Sequence, residues 1–127
     1  MNMQKHILLA VDDSPTNLEL IKGLFSRDYD IRLAKSGAMA LSAVSRVRPD
    51  IVLLDIELAD MSGLDVLSSM RNNPAMGGVS IIVVTSHKSD AFAAKARELG
   101  ADGYIIKPYR ADDLRSAIRK ALQSRRV

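Results

Sequence analysis

Five polar side chains carry the chemistry open to this sequence, and each comes at the end of a short apolar run. Asp12 and Asp13 follow "ILLAV", Asp55 ends "DIVLLD", Thr85 ends "SIIVVT", and Lys107 ends "GYIIK" ahead of Pro108. Taken singly, each has an ordinary structural reading: a turn or helix cap for Asp13, a strand end for Thr85, a solvated amine for Lys107. Brought together, three carboxylates would repel one another, and some would be driven toward protonation unless a cation sat among them. Lys107 supplies one positive charge and leaves a net negative pocket suited to a hard divalent ion. The chain has no cysteine and no histidine pair at ligand spacing, so all-oxygen ligation selects Mg²⁺, or Mn²⁺, over zinc. A divalent ion, a lysine and a hydroxyl are the parts that hold and neutralise a phosphoryl group in transfer. One carboxylate then serves as the nucleophile, since aspartate can form an acyl phosphate and no Cys or His competes there. His6 lies at the start of the first run, the wrong end, and His87 beyond Thr85 reads as a solvated loop histidine.

Whether these groups meet depends on the elements that carry them. The runs at 6–11, 30–34, 50–55, 80–85 and 103–107 have strand length and are rich in branched residues. The first, third and fourth are apolar at consecutive positions, as in strands buried on both faces of a parallel sheet. "DIRLA" (30–34) alternates, with Ile31 and Leu33 on one side, and reads as an edge strand.

Segments of helical period separate the runs. Ser14 or Asp13 caps a helix that opens with Pro15 and buries Leu18, Ile21, Leu24 and Phe25. Leu41, Val44 and Val47 mark a second helix, and Leu64, Leu67 and Met70 a third capped by Ser62. An alanine-rich fourth over 89–99 ends at Gly100, and Leu114, Ala117, Ile118, Ala121 and Leu122 stripe the fifth. "RNNPAMGG" (71–78) reads as a long loop. Five strands alternating with five helices predict a three-layer α/β sandwich, in which ligands bind beyond the carboxyl ends of the strands.

Composition agrees with that class. With 127 residues, 47% of them hydrophobic and 26% charged, the chain suits one globular core and is too short for two ordinary ones. The expected organisation is one domain over residues 1–124, with 125–127 a frayed end or linker stub. No run approaches the roughly 18 apolar residues of a membrane span, and the N-terminal run is too short for a secretory signal. With cysteine absent, the expected location is the cytoplasm. The net charge of +3 owes much to Arg110, Arg115, Arg119, Lys120, Arg125 and Arg126. Asp112 and Asp113 interrupt that cluster, so it reads as a solvated helix face with a frayed end or linker stub, the alternative being a partner-binding patch.

At "VDDSPTN" (11–17), "PDIVLLDIELADMSG" (49–63), "IIVVTS" (81–86) and "GADGYIIKPY" (100–109), the chain resembles the receiver domain of two-component response regulators over nearly its whole length. The resemblance implies a flavodoxin-like fold with strand order 2-1-3-4-5. It implies that Asp55 accepts a phosphoryl group from a phosphohistidine on a histidine kinase or histidine phosphotransfer protein. Asp13, Asp55 and the backbone carbonyl of Glu57 would ligate Mg²⁺, with Asp12 acting through a metal-bound water. Lys107 would pair with Asp55 and then with the phosphoryl group, and Thr85 would hydrogen-bond a phosphoryl oxygen. Thr85 and Tyr104 would form the switch, changing how the surface of the fourth helix, fifth strand and fifth helix binds a downstream protein or domain. Phe92, Lys88 and Arg115 are expected to lie exposed on that face. The family resemblance also implies that Glu57 and His87 tune the lifetime of the phosphoryl group.

Departures from the family pattern are few. Leu58 and Ala59 stand where "MP" is common, which predicts a less rigid loop after Asp55; Ser62 replaces a frequent acid, and Ser86 a usual alanine or glycine. The expected module acts by binding and catalyses only its own phosphorylation and dephosphorylation. It would be a monomer or a phosphorylation-dependent dimer, either stand-alone or cut from a larger protein, with no membrane or direct nucleic-acid partner. The alternative is a Mg²⁺-dependent phosphohydrolase of small phosphoesters, against which count the adjacent acids on the first strand and the lack of room for a cap domain. A flavin carrier would need a Ser/Thr/Gly-rich phosphate loop where this chain has acids.

Overall fold

Branched apolar runs form the strands: β1 (His6–Val11), β2 (Tyr29–Ala34), β3 (Ile51–Leu54), β4 (Ser80–Thr85) and β5 (Gly103–Ile106). Between them lie α1 (Pro15–Phe25), α2 (Gly37–Arg46), α3 (Gly63–Arg71), α4 (Asp90–Glu98) and α5 (Ala111–Gln123). This computed structural model describes residues 4–124; the expected frayed end at 125–127, with Arg125 and Arg126, lies outside the described residues. The strands pair in parallel in the order β2-β1-β3-β4-β5, the flavodoxin-like arrangement expected.

Alternate residues of each inner strand feed two cores. Leu8, Ala10, Leu53, Ile82 and Val84 pack with Leu18, Ile21 and Phe25 of α1 and Leu114 and Ile118 of α5. Leu9, Val11, Leu54 and Val83 face the other way, onto Ala40, Val44, Val66, Leu67, Met70 and Ala96 of α2, α3 and α4. Full burial of each such Leu or Ile contributes roughly 1.5–3 kcal/mol, so the helices are held to the sheet by these stripes. β2 is an edge strand, with Ile31 and Leu33 packed toward α1 and Arg32 paired with Asp30 at 3.0 Å in solvent.

Several boundaries differ from the sequence reading. Asp50, Asp55 and Lys107 lie just outside their strands. Val47 is not part of an apolar stripe: it is the residue after α2 and is 39% exposed, while Gly37 and Ala40 share the buried face with Val44. "RNNPAMGG" is more than a loop, because Asn73 caps a 3₁₀ turn at Pro74–Met76 that drives Met76 into the core. Ser14, Ser36, Ser62 and Ser89 cap α1 to α4 through their hydroxyls, satisfying N–H groups that the helices leave unpaired. At Gly100, φ is +111°, a conformation that glycine adopts without penalty.

The loop after Asp55, where the proline is missing, is tied to α2 through Asp60. Both oxygens of Asp60 accept from the N-terminus of α2, from Gly37 N–H at 2.9 Å and Ala38 N–H at 3.0 Å. These bonds hold the Asp60 carboxyl below its usual pKa. A lowered folded-state value means that its stabilisation is complete at neutral pH and fades as pH falls through that value. Asp60→Ala is expected to lower the melting temperature by a few degrees at pH 7, with a gap that narrows in acid; thermal unfolding at both pH values measures it.

Candidate functional site

Strand register brings the predicted residues to one edge. Val11 pairs with Leu54, Leu54 with Val83, and Thr85 with Ile106. Asp12 and Asp55 therefore stand level with Val84, Thr85 one residue further out, and Lys107 one beyond that. Main-chain bonds fix these positions: Asp55 N–H donates to Val11 O at 3.0 Å, and Lys107 N–H to Thr85 O at 2.8 Å. The Lys107–Pro108 peptide is cis.

Lys107 is the centre of the cluster. Its ammonium lies 2.7 Å from Oδ2 of Asp12 and 3.0 Å from Oδ2 of Asp55, and both acids are buried. Burial disfavours the charge on Lys107, but the bonds to Asp12 and Asp55 outweigh it and hold the amine above its usual pKa. Asp12 is tied down further by Ser14 N–H on Oδ1 at 2.9 Å and by the Asn17 amide on Oδ2 at 3.2 Å. The other oxygen of Asp55 accepts Glu57 N–H at 3.0 Å. Asp13 is exposed, and the capping role belongs to Ser14.

The remaining predicted residues surround this pair. Thr85 is fully buried, with Oγ1 accepting His87 N–H at 3.3 Å. Tyr104 is half-buried and its hydroxyl donates to His87 O at 2.9 Å. Burial, then the charges of Glu57 and Asp55, push the Tyr104 phenol up. Ser86 Oγ donates to Glu57 Oε1 at 2.9 Å. His87 is no free loop side chain, because its ring stacks on Phe92 with centroids 3.9 Å apart. Phe92 is therefore half-buried, contrary to its expected exposure, whereas Lys88 is exposed. Arg115 is also no free output residue: it lies over the Phe25 ring at 5.4 Å, bonds Leu24 O and pairs with Asp112. Its apolar stem and planar head are satisfied by α1.

Sequence reasoning missed Asn17, whose only signal was its place in the first turn of α1, and Asp60, whose partners are remote in sequence. It also missed a cleft of about 340 Å³ between α1 and the strand ends. Leu18, Leu20, Ile21 and Tyr109 form its apolar wall, and Asp12, Asp55 and Lys107 line it as well.

The donor set suits a hard cation. Asp12 and Asp55 offer buried carboxylate oxygens, and the cluster holds no histidine or sulfur ligand. Among the described residues no group of three or more acidic, histidine or cysteine side chains is placed so that it could hold a metal ion, so Asp13 is not brought in as a third carboxylate beside Asp12 and Asp55. Mg²⁺ does not require one, since it takes one or two carboxylates and keeps several waters. Among the described residues no helix is long and apolar enough to cross a membrane.

Comparison with known proteins points the same way. The family model described as the response regulator receiver domain matches residues 8–119. The DNA-binding response regulator MtrA of Mycolicibacterium smegmatis is 34% identical over 124 residues, covering 97% of this chain and 53% of that protein. The transcriptional regulatory protein KdpE of Mycobacterium tuberculosis is 34% identical over 118 residues, 92% of this chain and 51% of its own length. The chain thus spans about half the length of these relatives. A CheY-like response regulator receiver domain protein from Methanospirillum hungatei, known by crystal structure, superimposes with a TM-score of 0.88 at 28% identity, covering 95% of both chains. Strand order, the residues gathered at the strand ends and the family match agree, and the chain belongs to the response regulator receiver domain family.

Proposed function

We propose that Asp55 is a phospho-acceptor, taking a phosphoryl group from a phosphohistidine of a histidine kinase or histidine phosphotransfer protein. The observation that carries this reading is the Lys107 ammonium bridging buried Asp12 and Asp55 at the carboxyl edge of the sheet. An Asp55 oxygen attacks phosphorus as the phosphorus–nitrogen bond breaks, and its electron pair returns to the imidazole. Lys107 pairs with Asp55 and then holds a phosphoryl oxygen, a positive charge placed in advance where negative charge gathers. Mg²⁺, or Mn²⁺, would be held by Asp13, Asp55 and the Glu57 carbonyl, with Asp12 acting through a bound water, and would supply neutralisation of the phosphoryl oxygens. Thr85 donates to another phosphoryl oxygen, and Tyr104 follows its movement. That movement biases the α4-β5-α5 surface toward a downstream protein or domain. The module is a cytoplasmic signalling unit that turns over only its own phosphate.

Incubation with acetyl phosphate and Mg²⁺, followed by intact mass, tests the reading. Wild type is expected to gain one phosphoryl group and Asp55→Asn none. An unmodified wild type, or equal labelling of both proteins, would reject it.

A further inference from the structure

β2 closes one side of the sheet and has β1 as its single neighbour. Ala34 O accepts Asp12 N–H, and alternation along a parallel pair then turns the main chain of Asp30 and Arg32 toward β1 and that of Tyr29, Ile31 and Leu33 outward. Among the described residues no strand meets those outward N–H and C=O groups. The side chains of Tyr29, Ile31 and Leu33 are half-buried against the core on the α1 side, so each keeps apolar surface in solvent. Asp30 and Arg32 alternate to the opposite face, where a groove of about 360 Å³ beside α2 is lined by Arg32 and Arg46 and by no acid. Charged residues on an edge strand ordinarily repel a further strand. Here an acid and a base flank Ile31 symmetrically, and that arrangement is complementary to itself under a two-fold axis.

We propose that the outer edge of β2 is a self-association surface, at which a second copy of this chain pairs antiparallel about Ile31. In that register Ile31 faces Ile31 of the second copy, Tyr29 faces its Leu33, and Asp30 faces its Arg32. The outward main chains coincide, so the Ile31 and Tyr29–Leu33 positions become hydrogen-bonded pairs with roughly six bonds between the copies. Asp30 and Arg32 fall at the pairs between these, where facing side chains lie closest, and two ion pairs cross the interface. Centring the strands on Asp30 or on Arg32 instead would set an acid against an acid or a base against a base. The charges therefore select Ile31 as the centre. In the single chain Asp30 and Arg32 pair with each other at 3.0 Å, with side chains 43% and 48% exposed. An ion pair so exposed contributes little, and exchanging it for pairs between copies costs little. An edge of six residues is small beside the surface a permanent dimer buries, so the association is weak and concentration-dependent.

Sedimentation velocity of the unphosphorylated chain from about 10 µM to about 1 mM covers the range of so weak a pair. Wild type should pass from monomer to dimer across it. Asp30→Arg and Arg32→Asp each set like charges opposite one another at both pairs, and each should weaken association about tenfold. An equimolar mixture of the two variants should regain the wild-type strength, because a heterodimer restores opposite charges at both pairs. A change in either variant's own fold could not produce that recovery. A wild type that stays monomeric throughout, single variants that associate as wild type does, or a mixture that associates no more strongly than its components overturns the proposal.

Discussion

Lys107→Met is expected to slow phosphoryl uptake from acetyl phosphate about a hundredfold, the usual effect of deleting one preorganised charge donor. It should also destabilise the metal-free fold. The ammonium is within 3.0 Å of two carboxylates, and its removal leaves Asp12 and Asp55 buried together without a counter-charge. Breaking a fully buried pair costs about 3–5 kcal/mol; with Lys107 19% exposed, roughly 2 kcal/mol is the expected loss at neutral pH. Added Mg²⁺, which replaces the missing positive charge, should recover stability in the variant. The wild type depends on pH at the alkaline end. Its Lys107 pKa is raised on folding, so the amine's stabilisation is complete below the ordinary lysine value and is lost as pH rises through the raised one. Urea unfolding with and without Mg²⁺ across pH measures both trends. Equal stability of wild type and variant without metal would contradict the account of the cluster.

Gly63→Ala should be nearly as damaging, although Gly63 contributes no functional group. A Cβ at this position would fall on the Asp55 carbonyl oxygen and the Ile56 Cα, both backbone atoms. No flexible side chain is among the atoms nearest to it. The same close approach carries the bond from Gly63 N–H to Ile56 O at 2.7 Å and the short bridge between Glu57 and Ser62. Relief requires α3 to move away from the end of β3, at a cost of about 3 kcal/mol for overpacking of this kind. It would shift the main chain at Asp55 itself. The expected result is a lower unfolding midpoint together with a loss of phosphoryl uptake at temperatures where the variant is still folded. A variant with normal stability and uptake would show that the loop can yield.

Much of the fold was legible because burial imposes a period on the residues. Continuous apolar runs marked β1, β3 and β4, alternation marked β2, and serine, proline and glycine marked the helix ends. Errors fell where local signals ran out. Val47 continues a helical spacing, yet α2 has already ended, and Met76 lies in a polar stretch whose 3₁₀ turn only tertiary packing reveals. Three carboxylates, a threonine and a lysine could be picked out because each ends or follows an apolar run of strand length, and strand ends of a parallel sheet share an edge. Their distances could not be, since they depend on register across strands far apart in the chain. Arg115 illustrates the same limit: its charge is visible, but its seat on Phe25 and Leu24 is set by how α5 meets α1. Local composition thus specified the strands, their faces and the chemical types at one edge. Folding alone put Lys107 between Asp12 and Asp55, Asp60 on the start of α2 and Ser86 on Glu57, because each contact joins segments whose separation collapses only when the sheet is assembled.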